Sequence, residues 1–246
     1  MPRYKLTLEY DGAPFVGWQR QDNGPSVQGA IEKAALAMSG EQVSLQGAGR
    51  TDAGVHALGQ VAHFDLERPT DAKVVREALN HYLRPQPISI ISAETADPHF
   101  HARMSARKRR YRYIVLNRDA RPALEIGRAW HVPYRLDVAA MGEGASHLIG
   151  QHDFTSFRAT ECQAKSPIKT LDRLDIVSDG ANLIFDVSAR SFLHHQVRNM
   201  VGTLILVGRG KWLPDQVAQA LAARDRTAAG PTAPPDGLYL VGVDYG

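Results

Sequence analysis

The sequence is short of the features that most directly announce a function. Cys162 is the only cysteine in 246 residues, so a disulfide within the chain is impossible and a reducing, cytoplasmic setting is expected. No apolar run is long enough to span a bilayer, so no membrane partner is expected. The opening residues Met1 to Lys5 pass straight into an alternating pattern, which argues against a signal peptide. Ten histidines are present, yet H-E-x-x-H is absent. His194 and His195 are adjacent, which on a helix would point them to different sides, so no metal is expected. No motif activates Cys162, which reads as an ordinary thiol.

What remains is a globular composition, 43% hydrophobic and 22% charged, on a chain long enough for one large domain or two smaller ones. The net charge of +3 says little by itself. Its distribution says more. Between Phe100 and Arg112 lie six basic residues and no acid: Arg103, Arg107, Lys108, Arg109, Arg110 and Arg112. Such a run is often a solvated face. Here it enters a strand-like segment, Tyr111 to Leu116, and a basic run anchored to a strand can present charge to a polyanion at a defined place.

Periodicity supplies the elements. Tyr4 to Tyr10 alternates as a half-buried strand. Ser26 can cap a helix with Val27, Ile31, Ala34, Ala35 and Met38 on one face. Gln60 to Leu66 is a second strand. Thr70 can cap a helix that gathers Val74, Val75, Ala78, Leu79 and Tyr82, which Pro85 and Pro87 end. Ile88 to Ile91 is a third strand. A similar order follows: strand 110–116, a helix over 137–149 weakened by Gly142 and Gly144, a hairpin of 174–177 and 183–189 around Asp179-Gly180, a long apolar helix over 192–207, a helix over 214–223 and a closing strand over 237–244. The stretch 224–236, rich in Ala, Pro and Thr, reads as the loosest. Mixed helices and closely paired strands predict an α+β protein of two similar halves, 1–105 and 106–246.

Gly47-Ala48-Gly49-Arg50-Thr51-Asp52-Ala53-Gly54-Val55-His56 is the densest feature. Its glycines permit tight turns and close backbone approach, and Thr-Asp-Ala-Gly is also plain turn chemistry. It lacks the lysine of a P-loop and is not G-x-G-x-x-G, so no nucleotide cofactor is expected. Arg198 sits in the apolar 192–207 segment, where a buried guanidinium needs an acid partner. Asp52 on its loop is the suggested partner, and a purely structural pair with another acid is the alternative that spacing leaves open. Gly202, one turn on, would let another backbone come close. Tyr111, between Arg110 and Arg112, suits either core packing or stacking on a base.

Taken together, these residues resemble the tRNA pseudouridine synthase A family. The resemblance runs through Tyr10-Asp11-Gly12 with Phe15, Gly17-Trp18-Gln19, Ser26-Val27-Gln28, Gly49 to Ala57, Phe100 to Arg103 with Arg110 to Tyr113, His152 to Arg158, Phe192 to Gly202, and Thr232-Ala233-Pro234 with Gly237 to Leu240. It implies a pseudouridine synthase fold: two ferredoxin- or RRM-like α+β subdomains sharing a central mixed antiparallel sheet, with a cleft between them. It implies an isomerase without cofactor or metal, a homodimer, and tRNA as partner. The target would be uridines 38, 39 and 40 of the anticodon stem-loop. By the same resemblance Asp52 is the catalytic nucleophile, while Tyr111, Arg198 and Arg50 bind the target nucleotide. Phe100, His101, Ala102, Arg103, Met104, Gln163 and Lys165 fall where tRNA contacts are expected.

The chemistry suits the residues. Pseudouridine formation breaks C1′–N1 and makes C1′–C5, a change at a glycosidic bond that one ionised carboxylate can assist. The target base must leave its stack, at a cost of a few kcal/mol. The rival is an RNA-binding module without catalysis, for which Asp52 is dispensable.

Overall fold

The computed structural model describes residues 1–246. The chain divides into two compact units, one formed by Met1–Arg107 with Tyr239–Gly246 and the other by Lys108–Leu238. Both are α+β.

The first unit begins with β1 (Arg3–Tyr10), whose alternation turns Tyr4, Leu6, Leu8 and Tyr10 inward. Helix α1 (Val27–Ser39) starts where Ser26 accepts a hydrogen bond from the Gly29 amide, and stops at Gly40, which takes a left-handed φ of 76°. It buries Val27, Ile31, Ala34 and Ala35, while Met38 is only half-buried. Two short β2 residues (Gln46–Gly47) precede β3 (His56–Asp65). β3 is longer than its pattern suggests, because Ala57 and Gly59 hide the alternation at its start. Helix α2 (Ala72–Tyr82) is capped by Asp71, whose carboxylate accepts from the Lys73 amide at 2.7 Å. Thr70, the expected cap, is occupied otherwise: its carbonyl and amide both bond the Tyr4 hydroxyl, at 2.6 and 2.8 Å. The helix buries Val75 and Leu79, and leaves Val74 and Tyr82 exposed. β4 (Ile88–Ala96) runs beyond the expected segment along β1.

In this unit β1 lies between β4 and β3 and is antiparallel to both. The other edge of β3 is shared: β2 pairs with its far end, and the closing strand β10 (Leu238–Asp244) runs parallel to its start, Tyr239 opposite His56 and Leu240 opposite Ala57. The expected second half, 106–246, and the compact unit therefore differ at the chain's end. The last eight residues pack with the first unit because β3 offers them an unfilled stretch of edge.

The second unit is built on β5 (Lys108–Leu116), β7 (Gly150–Asp153), β8 (Ile168–Asp179) and β9 (Asn182–Ala189), in the order β5-β9-β8-β7 and all antiparallel, with β6 (Trp130–His131) parallel to β5. β8 begins well before the expected 174, since its exposed polar positions mask its start. Gly180, at φ 58°, makes the β8–β9 turn. Helix α3 (Val138–Ser146) is capped by Asp137. Its Gly144 lies where a Cβ would come within 3.1 Å of Val217 and 3.3 Å of Leu204, so the glycine that weakens the helix allows close helix packing. Helix α5 (Asp215–Ala223) follows Pro214.

Helix α4 (Gln196–Gly208) is the centre of this unit and is buried over most of its length. It starts four residues later than its apolar run. Leu193 donates to the Gln196 side chain at 2.8 Å and His195 takes a left-handed φ of 62°, so Phe192 to His195 form a turn. His194 and His195 therefore do not sit on opposite sides of a helix, and their rings lie 4.0 Å apart. The stretch 224–236, expected to be loose, is strapped onto α4. The Asn199 carboxamide oxygen accepts from Arg226 at 3.1 Å and Thr232 at 2.6 Å, and its amide donates to the Phe157 carbonyl. Thr203 accepts from the Gly230 amide at 2.9 Å. At Gly202 the backbone approach is so close that a Cβ would collide with the Pro231 carbonyl.

Asn199 is fully buried, and its partners would be left unsatisfied without it. Asn199→Leu is expected to cost roughly 2–4 kcal/mol, read as a lower urea midpoint at unchanged slope.

Candidate functional site

Asp52 lies on the loop between β2 and β3, and almost every residue around it is bolted down. Ahead of it, Gly49 accepts a hydrogen bond from the Gln60 side chain at 2.9 Å, and Ala48 donates to Val61 at 2.7 Å. Thr51 is held twice: its carbonyl accepts from the Trp18 amide at 3.0 Å, and its hydroxyl lies 2.8 Å from that of Tyr10. Behind it, Val55 donates to the Asp52 carbonyl at 3.2 Å, and Gly54 takes a left-handed φ of 77°. Asp52 itself is half-buried, between exposed Ala53 and the buried Thr51. Arg50 is exposed on the same loop.

The neighbouring glycines explain why the segment 10–19 carries so specific a pattern. Gly17 has φ 120°, and a Cβ there would stand 2.7 Å from the Thr51 carbonyl. Gly47 lies against the Trp18 ring, and at Gly12 a Cβ would collide with the Val55 carbonyl. His56, buried at the start of β3, accepts from the Gly12 amide at 3.1 Å and stacks on Tyr239 at 4.7 Å. A flat turn needs none of this.

The same unit holds the segment 100–104. Ala102 donates to His63 at 3.2 Å, and its carbonyl accepts from Tyr245 at 2.7 Å. Arg3 donates to the Phe100 carbonyl at 2.7 Å. His101 caps the turn, accepting from the amides of Arg103 and Met104. Arg103 and Met104 project from this frame, Met104 with 75% of its surface exposed. Ala102, fully buried, and Phe100, partly buried, pack with Val61 and Ala48 and so shape the segment.

Tyr111, Arg198, Gln163 and Lys165 belong to the second unit. Tyr111 is half-buried on β5, with Phe192 set edge-on at 5.2 Å. The ring is thus presented by the sheet and braced by the turn before α4. Arg198 points its Nε at the Ala233 carbonyl at 2.8 Å, while the Ala233 amide donates back to the Arg198 carbonyl at 3.1 Å. Gln163 and Lys165 are exposed on a loop tied at Cys162, whose sulfur accepts from the His194 amide at 3.4 Å.

The basic run is less uniform than its sequence. Arg109 is buried and donates to the Arg190 carbonyl, Arg112 is paired with Asp186 at 2.9 Å, and Lys108 lies 3.4 Å from Asp172. Arg103, Arg107 and Arg110 are the exposed members. Side chains of consecutive strand residues alternate faces, so half of a basic run on a strand turns inward and needs internal partners.

Residue types alone did not single out Tyr10, Gln60, Asn199 or Arg226. The available signal is a polar residue inside an apolar pattern: Gln60 amid Val55 to Phe64, and Asn199 amid Val197 to Leu204.

Burial, with Arg3 and His101 beside it, pushes the His63 imidazole down to about 4. The folded protein therefore resists a proton that the unfolded chain accepts near 6.5. The sign follows: His63 leaves stability untouched above pH 6.5, and stability falls as pH drops from 6.5 towards 4. Chemical denaturation across this range should show that loss, and His63→Gln should flatten it.

Comparison with known proteins agrees with this frame. A family model described as tRNA pseudouridine synthase matches residues 7–105 and 145–246. The chain is 62% identical to tRNA pseudouridine synthase A of Rhodopseudomonas palustris and 61% identical to that of Afipia carboxidovorans, each over 245 residues and the whole of both chains. Among solved structures, a chain of a Cbf5-Nop10-Gar1 complex aligns with a TM-score of 0.38 at 10% identity, covering 95% of this chain and 47% of that one. On the family match and the identity to these relatives, the chain belongs to the tRNA pseudouridine synthase family.

Proposed function

We propose that the protein isomerises uridine to pseudouridine at positions 38, 39 and 40 in the anticodon stem-loop of tRNA, with Asp52 as the catalytic nucleophile. The observation that carries the reading is the seat of Asp52. A half-buried carboxylate stands on a glycine-rich loop whose flanking residues are tethered to β1, β3 and the 15–18 segment. A loop held this firmly places its carboxylate before the substrate arrives, and pre-placement is what lowers a reaction barrier.

In this reading the Asp52 carboxylate meets the target nucleotide and the C1′–N1 bond breaks. The freed uracil turns, C5 bonds to C1′, the C5 proton is lost to a base or water, and N1 ends protonated. Atoms balance without oxidant, metal or organic cofactor. Tyr111, with its ring braced by Phe192, packs on the base, and Arg198 and Arg50 bind the flipped-out nucleotide. Arg103 and Met104, exposed on the segment that includes Phe100, His101 and Ala102, meet tRNA there, and Gln163 and Lys165 meet it from their own exposed loop. The protein acts in the cytoplasm as a homodimer. No helix is long and apolar enough to cross a membrane.

The decisive experiment follows tritium released from tRNA labelled at uracil C5, with excess EDTA present. Wild type should release it, and Asp52→Asn should be slower by roughly a thousandfold or more. Release by the mutant at the wild-type rate rejects Asp52 as nucleophile. A folded wild type that binds tRNA and releases nothing is a binding module. The apparent second-order rate should also fall steeply with added salt, because contacts to phosphate release counterions.

A further inference from the structure

Three buried polar side chains lie beneath the Asp52 loop, and the reaction just described uses none of them. Gln60 is fully buried and Tyr10 and Thr51 nearly so. Tyr10 closes β1, Gln60 lies in β3, and Thr51 immediately precedes Asp52. The Tyr10 hydroxyl is 2.8 Å from the Thr51 hydroxyl. Gln60 also donates to the Gly49 carbonyl at 2.9 Å and accepts from the Val61 amide at 3.2 Å. The group thus ties the loop at two points, Gly49 and Thr51, to two neighbouring strands.

The strands are shaped for the purpose. In the β1–β3 ladder Leu8 faces Gln60 but Tyr10 faces Ala57, so β3 carries one extra residue opposite Glu9. Such a bulge re-aims the side chains beside it. An apolar core would be the cheaper filling here, since a buried polar group is costly unless fully bonded. Burial pushes the Tyr10 phenol up to about 12, while its bond to Thr51 and the Gln60 side chain pull the other way. The phenol therefore stays protonated and keeps its hydrogen bond at any working pH.

We propose that Tyr10, Gln60 and Thr51 are positioning residues for Asp52: the hydroxyl–hydroxyl bond between Tyr10 and Thr51, with the Gln60 bond to the Gly49 carbonyl, sets where the Asp52 carboxylate stands. The proposal rests on Asp52 being the catalytic group. It goes beyond that reading in assigning part of the rate to a polar group that touches no substrate.

The test is single-turnover C5 tritium release, measured beside tRNA Kd and thermal midpoint for Tyr10→Phe, Thr51→Val, their double variant and Thr51→Ser. Tyr10→Phe and Thr51→Val each delete the same bond while keeping bulk. Each should slow the step about tenfold with Kd within about twofold, and the double variant should be slower by about the same factor, not its square. Thr51→Ser restores the hydroxyl and should run near the wild-type rate whatever its thermal midpoint. Asp52→Asn is the control. If it is inactive while Tyr10→Phe and Thr51→Val keep the wild-type rate, the positioning role is wrong and the nucleophile assignment stands. Losses confined to Kd or to the thermal midpoint, or losses that multiply in the double variant, likewise overturn the proposal. An active Asp52→Asn overturns the nucleophile assignment itself, and the positioning role with it.

Discussion

The hydrogen bond from the Trp18 amide to the Thr51 carbonyl stands for the constraint on which the first unit depends. A tight loop that carries a reactive group close to a core must satisfy its own backbone there. Water cannot do so at Thr51, which is buried. The partners come instead from the segment 12–18, from β1 and from β3. Each partner then needs room, and so Gly12, Gly17 and Gly47 occur where any side chain would strike a carbonyl or the Trp18 ring. At Gly12 and Gly47 it is the missing Cβ that matters, while Gly17 also needs a glycine's freedom to take φ 120°.

The second unit solves a related problem with an arginine. Arg226 sits among the Gly230 carbonyl, the Asn199 side chain and the Thr232 hydroxyl, and desolvation lowers its affinity for a proton. These bonds hold the strap 226–234 against α4. The strap in turn delivers the Ala233 carbonyl to Arg198 and the Pro234 carbonyl to the buried Tyr113 hydroxyl. A substitution at Arg226 or Thr232 thus reaches Arg198 through the backbone, without contact between the side chains. The two units share a strategy: Asp52 and Arg198 each stand beside backbone that is itself held by buried polar groups.

Much of this was legible in the sequence. The strong alternation of Tyr4 to Tyr10, the Ser26 cap and the hairpin about Gly180 are local, and local chemistry decides them. The Asp52 loop was visible as three glycines around a carboxylate. Less legible were features that depend on a partner distant in the chain. The Thr70 cap failed because Tyr4, far back in the sequence, takes its backbone. Helix α4 starts late because Gln196 bonds Leu193 in a turn that an apolar run conceals. The stretch 224–236 looked loose by composition, since Ala, Pro and Thr say nothing about Asn199 and Arg226. The basic run looked uniform because its alternation on β5, which turns Arg109 inward, is a property of the strand and not of the charge count.

By itself the sequence determined the α+β class, most element positions and the family, because these rest on short-range periodicity, turn chemistry and motifs read in order. The tertiary structure alone decided that the closing strand Leu238–Asp244 pairs with β3 beside His56, and that Tyr10 reaches Thr51 and Gln60 reaches Gly49 on the Asp52 loop. The physical reason is common to both. A strand edge and a buried polar group each require one specific partner, and residues far apart in the chain become that partner only when the core closes around them.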